Sequence, residues 1–333
     1  MAQTRDASLL DPSPPPTMAL RTYRFLRLGV VLVIALLAVS ILKETFKANP
    51  DCLQGSISAY YYTPVQSVFV GALTVLGFTM IVLWGKTWVE DACFNLAGLL
   101  APVVAFVPTS DTNKCRLIDT TGELVKTEAE KQQVIDASHA AINNNMSAYL
   151  LAVLIALVAL LAVGVVAHSR QAGLVESPYT FWGPFVAATL LWTFGMYRFN
   201  QDGRAWLYEH AHMAAAITMF IFIVVAIFAV SYAKWRPNTK IEEKSGRFRG
   251  WAMTYFALAS TMSLGAAAIY WWPHAWGSTE FFDHLVFWLE AWMILGVAVF
   301  WLLQTVDRWD DGAPPRTEAE RAVVEARMAF TAD

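Results

Sequence analysis

The chain has 333 residues, of which 56% are hydrophobic and only 15% are charged. A soluble domain has about 45–50% apolar and about 25% charged residues, so this composition excludes an ordinary soluble domain and indicates a lipid environment. The net charge of −3 gives no reason to expect a nucleic-acid partner.

The order of segments along the chain predicts an all-α, polytopic transmembrane bundle. Residues 1–25 are polar and rich in proline, which predicts a disordered tail. Eight apolar runs follow, each with roughly the 17–25 residues that cross a hydrocarbon core about 30 Å thick. Proline interrupts the third and fifth runs, which spanning helices tolerate when neighbouring groups satisfy the freed carbonyls. The predicted spans are 26–42, 67–84, 92–109, 146–168, 181–197, 209–232, 251–272 and 284–303.

The C-terminal segment, residues 310–333, has a helix start signal. Pro314 and Pro315 precede Thr317 and Glu320, which are spaced as a capping box. Apolar and charged residues alternate after it, so we expect a short amphipathic helix on the inner face. The chain is thus divided into a tail (1–25), a transmembrane bundle (26–309) and a second cytoplasmic tail (310–333).

The distribution of lysine and arginine predicts the orientation. With the N-terminus inside, 16 of the 24 lysine and arginine residues fall on the cytoplasmic side. Cytoplasmic loops carry an excess of these residues, so the bias favours N-in, and eight spans then place the C-terminus inside as well. The first run lacks a small-residue cleavage site after Ser40, which favours a retained anchor over a signal peptide.

Two of the three cysteines share a side under this topology. Cys52 and Cys115 both fall in outer loops, where the compartment is oxidising. A disulfide between them is one interpretation. Two unpaired thiols that share a side are the other.

Glu290 is the clearest candidate for a functional residue. It is an acid inside the eighth apolar run, where a charged group is unfavourable and is a functional candidate by default. Asp283, Glu290, Val297 and Gln304 are spaced by seven and share one helix face, which we expect to point into the bundle. Glu290 would be a proton or ligand site; alternatively, it is a hydrogen-bonded carboxyl that fixes helix packing.

Histidines gather on the same side of the predicted bundle. His210 and His212 open the sixth run, His274 lies in the last outer loop, and His284 follows Asp283. Histidine with carboxylate can bind zinc or relay protons, and interfacial histidines can instead contact headgroups and carbonyls. Residues two apart point about 200° apart on a helix, so His210 and His212 cannot face one metal unless the helix starts after them.

The first outer loop contains three consecutive tyrosines, of which Tyr61 is a candidate site residue. One interpretation is an aromatic belt at the headgroups. The other is a lid over an outward-facing cavity. At the inner end of the third run, Glu90 and Asp91 suit the positive end of a helix dipole, and Asn95 shares a face with Asp91.

Several segments together resemble a known group of sequences. They are residues 58–63 (SAYYYT), 68–71 (VFVG), Asp91 with 95–98 (NLAG), and 107–109 (VPT). In this combination they resemble an uncharacterised bacterial family of multi-pass membrane proteins of unknown function. The resemblance covers roughly residues 50–110 and implies a bacterial inner (plasma) membrane. It brings no activity, so it assigns no catalytic residue. The chain also resembles membrane hydrolases of the alkaline ceramidase and adiponectin-receptor type in being a helical bundle with histidines and an aspartate, but their paired histidines three residues apart in a late helix are absent.

These observations favour a non-enzymatic membrane protein. We expect it to bind or transport a lipid or small ligand through an outward-facing, polar-lined cavity, with membrane lipids as its partners. No soluble catalytic motif is found and no cofactor is predicted. The alternatives are a metal-dependent membrane hydrolase, for which zinc would be the metal, and an envelope scaffold. The cavity would be lined by Glu290, Asp283, His284, His210 and His212.

Overall fold

The computed structural model describes residues 17–48, 53–109, 125, 127–169, 178–200, 204–236, 246–276 and 283–309. Cys52, Cys115 and the predicted amphipathic helix in 310–333 lie outside these ranges, so their predictions stay open. Most of the tail 1–25 lies outside them as well. The first helix, however, begins at Thr17, inside the segment predicted as a tail.

Eight α-helices occupy the described ranges, where no strand is present, and they confirm the all-α prediction. Each one overlaps one of the eight predicted spans. A 3₁₀ helix, Ser58–Tyr62, lies between the first two. The helices are α1 (Thr17–Ala48), α2 (Gln66–Val82), α3 (Trp88–Phe106), α4 (Glu128–Ser169), α5 (Pro178–Asn200), α6 (Arg204–Trp235), α7 (Gly246–Trp276) and α8 (Leu285–Asp307).

The chain is a multi-pass integral membrane protein by the length and composition of its helices. Six of the described helices are long and apolar enough to cross a membrane: α1, α3, α4, α6, α7 and α8. Helix α2 is apolar but has only 17 residues. Large apolar side chains on the outer faces are exposed, among them Phe78 (67%) and Ile155 (62%), as expected for a surface in contact with lipid.

Helix α4 differs most from its predicted span, because it begins at Glu128 although the apolar run starts at 146. Its polar first part extends beyond the apolar stretch. Thr127 and Glu130 explain the start: the Thr127 hydroxyl accepts from the Glu130 amide, and the Thr127 amide donates to the Glu130 carboxylate. This reciprocal pair is a capping box, which satisfies two backbone donors that a helix start leaves free.

Both ends of the bundle lie on one side. The Arg24 side chain at the start of α1 donates to the carbonyl of Trp309, just after α8. Arg27 donates to the carbonyl of Arg308 at 3.2 Å. The start of α1 therefore packs beside the end of α8, so an N-terminus inside the cell would be accompanied by a C-terminus inside.

Cysteine labelling tests the predicted orientation with two exposed positions. In a background without native cysteines, Asn200→Cys at the end of α5 should react with an impermeant maleimide on intact cells, whereas Arg236→Cys after α6 should react only after permeabilisation. The physical reason is the surplus of lysine and arginine near Arg236. Labelling in the opposite pattern would overturn the N-in assignment.

Helices α2 and α3 approach each other closely, backbone against backbone, at Gly77 and Gly98. A Cβ added at Gly98 would lie 2.5 Å from the Gly77 carbonyl oxygen, and one added at Gly77 would lie 2.7 Å from that of Gly98. Small residues let helix backbones approach closely in membranes. Around this crossing, Ala97 and Ala101 of α3 are fully buried. The crossing holds α3 in the centre of the bundle.

Candidate functional site

Glu290 of α8 connects two other parts of the bundle. One carboxylate oxygen, Oε1, lies 3.5 Å from Nε2 of His212 on α6. The other, Oε2, accepts a 2.6 Å hydrogen bond from the backbone amide of Ile57, in the segment between α1 and α2. The Glu290 side chain is 13% exposed and that of His212 is 4% exposed. The structure thus brings together two of the predicted site residues, in a largely buried pair.

The predicted inward face of α8 is confirmed for its buried positions. Val297 is 7% exposed and Gln304 is 2% exposed, and both lie on the face that carries Glu290. Asp283 precedes the helix and is exposed. The seven-residue spacing therefore predicted the inward face correctly within α8. It does not apply to Asp283, which precedes the helix.

The neighbours of His212 determine which ring nitrogen carries a proton. Its Nδ1 lies 2.7 Å from the carbonyl oxygen of Val107 and 3.2 Å from that of Val104. Carbonyl oxygens only accept, so Nδ1 must hold a hydrogen, and a neutral ring then has a bare lone pair on Nε2. That lone pair faces Glu290. A hydrogen bond between the two side chains therefore requires one further proton, on either Nε2 or the carboxyl group.

The segment of residues 54–62, between α1 and α2, covers this pair and is called the roof here. It is joined to the start of α8 by two further contacts. The Phe287 amide donates to the Gly55 carbonyl at 2.9 Å, and His284 Nδ1 lies 3.2 Å from the Gln54 carbonyl. With the Ile57–Glu290 bond, three contacts attach the roof to α8. Two of the three contacts involve a titratable side chain: Glu290 accepts from the Ile57 amide, and the His284 ring donates to the Gln54 carbonyl.

The three tyrosines of the roof point to different neighbours. Tyr60 hydrogen-bonds Thr45 of α1 at 2.5 Å, and Tyr62 donates to the Thr109 carbonyl at 3.4 Å. Tyr60 and Tyr61 are 1% and 4% exposed. Burial raises the pKa of Tyr62 to about 12, against a hydrogen bond with Ser138 that lowers it. Buried, neutral tyrosines agree with the lid interpretation rather than with a headgroup belt.

A cavity of about 50 Å³ lies under the roof, enclosed by α1, α2, α3, α6 and α8. Ile57 and Ser58 of the roof line it, as do His212 and Glu290, and Trp301 lines it from α8. The rest of its wall is apolar. This differs from the expected polar lining, because the polar atoms of His212 and Glu290 are directed at each other and at backbone groups. The space suits a small apolar group.

The remaining predicted site residues are not part of this pair. His210 is exposed, stacks on Trp206 at 6.0 Å and lies 3.8 Å from Glu209. Helix α6 begins at Arg204, so both histidines lie inside it and point to opposite sides, as the 200° argument requires. His274 lies in α7, and its side chain is outside the described part. Within the described ranges, no three histidine, cysteine, aspartate or glutamate side chains lie close enough to hold a metal ion.

A second polar group lies at the other end of the bundle, where the sequence interpretation named Glu90 but did not predict its partners at the end of α8. Glu90 of α3 accepts from Arg308 at 2.9 and 3.1 Å and from Gln304 at 3.0 Å. Its Oε2 also accepts from the Lys86 amide at 2.9 Å. Glu90 is 1% exposed and Arg308 is 3% exposed. Glu90 therefore forms a buried ion pair, rather than only complementing a helix dipole.

A neighbouring ion pair extends this group. Lys234 at the end of α6 lies 2.9 Å from the Asp307 carboxylate, which also accepts from the Tyr255 hydroxyl at 3.0 Å. We call Glu90, Arg308, Asp307 and Lys234 the inner ionic layer, after the side on which the predicted orientation places them. One feature of the sequence indicated this group: Gln304 and Arg308 are four residues apart and therefore lie on one helix face.

Comparison with known proteins adds no functional information to this geometry. No family model, curated protein or solved structure matches the chain. The family resemblance of residues 50–110 therefore stays a prediction. The two polar groups at opposite ends of the bundle are the features from which function has to be argued.

Proposed function

We propose that this protein binds a small apolar or amphipathic ligand in the cavity under the roof, and that protonation of Glu290 controls access to it from outside. The observation that carries the proposal is the position of one carboxylate. Glu290 lines the cavity, faces His212 and holds the roof through the Ile57 amide. A proton that binds there acts on the roof and on the cavity wall at once.

The hydrogen bonds give the direction of the effect. With one shared proton, the pair resembles a carboxylate beside an imidazolium, and Ile57 donates to an ionised oxygen. Bonds to ionised acceptors are roughly twice as strong as those between neutral groups. When a further proton neutralises Glu290, the Ile57 bond weakens and the roof loosens. Acidification is thus expected to open the cavity on the outer side.

The inner ionic layer supports access from the outer side only. Below the cavity, α8 continues from Trp301 to Gln304 and Arg308, and both of these side chains bond to Glu90. Charged side chains inside a membrane protein are typical of substrate and ion pathways. The layer would act as the closed inner end while the roof is the movable outer end. A proton-coupled transporter belongs to this class of mechanism.

Hydrogen exchange of the roof amides tests the proposal without knowledge of the ligand. Protection factors, corrected for the intrinsic exchange rate, would be measured in nanodiscs from about pH 8 to about pH 4, the range in which histidine and glutamate ordinarily titrate. In the wild type we expect protection of residues 54–62 to fall about five- to tenfold on acidification. Glu290→Gln should give low protection with a much smaller pH dependence, because the amide cannot ionise and only histidines, His284 among them, remain at the roof contacts.

His210→Ala is the matched control, since His210 is a histidine on the same helix as His212 but is exposed and points away from the roof. It should exchange like the wild type. Roof protection that is constant with pH in the wild type, or a Glu290→Gln profile that titrates normally, would refute proton control of the roof.

The two alternatives have separate tests. Metal analysis of the purified protein would favour a hydrolase if about one zinc is bound per chain. A scaffold predicts that Glu290→Gln and His284→Ala complement a deletion strain completely. We prefer ligand binding to both alternatives, because Glu290 and His212 contact each other and also line the cavity.

A further inference from the structure

A second cavity, of about 140 Å³, lies between α3, α4, α5 and α6 and shares no lining residue with the cavity under the roof. It exists because α5 packs loosely: between Thr180 and Asn200 no residue is buried. Along α6 the lining runs from Trp206 to Thr218, about 18 Å at 1.5 Å per residue. That is about one leaflet of a hydrocarbon core about 30 Å thick.

The wall of this cavity is apolar, and its polar side chains are already bonded to backbone groups. The Tyr149 hydroxyl donates to the Leu99 carbonyl. Trp192 Nε1 donates to the Leu150 carbonyl at 2.8 Å, and the Thr218 hydroxyl donates to the Ala214 carbonyl at 2.7 Å. The interior therefore offers a ligand no free polar partner among these three residues.

Arg198 is the exception, at the end of the cavity nearest the α5–α6 connection. Its guanidinium carbon lies 4.5 Å from the ring centroid of Trp206, and its Nε is buried without a hydrogen-bond partner. In the part of the chain that the structure describes, no carboxylate pairs with it. A buried donor on a permanent cation is unfavourable unless an acceptor satisfies it. The missing acceptor would be an anion at the mouth of the cavity.

We infer that this cavity binds one acyl chain of an anionic phospholipid, whose phosphate is held by Arg198. The length of the lining matches one leaflet, the narrow apolar space suits a flexible chain rather than a compact ligand, and a planar guanidinium suits two phosphate oxygens. The predicted orientation places Arg198 at the outer leaflet. The bound lipid would fill the gap between α5 and the rest of the bundle.

Native mass spectrometry of the full chain, released from nanodiscs of equal phosphatidylglycerol and phosphatidylcholine, tests this inference. We expect one phosphatidylglycerol retained per wild-type chain. Arg198→Gln should reduce that retention about tenfold, and Arg198→Lys should reduce it less, since the charge remains. Arg204→Gln is the control: Arg204 lies near the same end of α6 but is exposed and does not line the cavity.

Filling the cavity provides a test that does not depend on charge. Ala214 lines the cavity, so the larger side chain in Ala214→Phe should exclude both lipids. Ile221→Phe, on the exposed face of α6, should not exclude them. Melting curves identify any variant that fails to fold. Equal retention of the two lipids by the wild type would overturn the inference, as would unchanged retention by Arg198→Gln or displacement of the lipid by inorganic phosphate or oleate alone.

Discussion

Arg308→Met is expected to lower the free energy of unfolding by about 3–5 kcal/mol, because it leaves a buried carboxylate without its cation. Glu90 is 1% exposed, and among the donors given by the described residues it would keep the Gln304 side chain and the Lys86 amide. Chemical unfolding in detergent, followed by tryptophan fluorescence, measures the change. Arg236→Met is the matched control, since Arg236 is exposed and carries no comparable contact with a buried acid.

The double variant Glu90→Gln with Arg308→Met distinguishes a broken ion pair from lost packing. Replacing both charged partners of a buried pair is often nearly neutral, because the desolvation of both charges is avoided as well. We therefore expect the double variant to recover most of the lost stability. A double variant as unstable as Arg308→Met, or an Arg308→Met variant as stable as the control, would contradict an ion pair that matters for folding.

Gly98→Leu is expected to have an effect of similar size through a different cause. Its Cβ would lie 2.5 Å from the Gly77 carbonyl oxygen, which belongs to backbone and cannot rotate away. Helices α2 and α3 would have to separate, and overpacking of this kind typically destabilises by about 1–3 kcal/mol, and by more where the backbone must move. We expect little folded protein, or a melting temperature far below that of the wild type.

Gly98→Ala and Gly71→Ala complete this series. Alanine at 98 introduces only the Cβ contact and should give an intermediate loss of stability. An added Cβ at Gly71 meets nothing within 4 Å, so alanine there should be neutral or slightly stabilising. Equal melting temperatures for the two alanine variants would show that the close approach does not limit stability.

The sequence alone predicted the all-α class and a span at each of the eight helices in the described ranges. An apolar run of about twenty residues has few alternatives in a bilayer, because a helix satisfies every backbone hydrogen bond within one segment. The ends of the helices were less well predicted. The early start of α4 depends on the capping pair of Thr127 and Glu130, and hydropathy does not detect a polar helix outside the membrane.

The sequence also identified Glu290 as unusual, and helical periodicity separated His212 from His210. Only the tertiary structure determined that Glu290 meets His212 and the Ile57 amide, which are 78 and 233 residues away along the chain. Glu90 and Arg308 show the same limit. A charge near a helix end has the same pattern in the sequence whether it faces headgroups or a buried partner. Which of these occurs depends on how the helices pack, and periodicity describes one helix at a time.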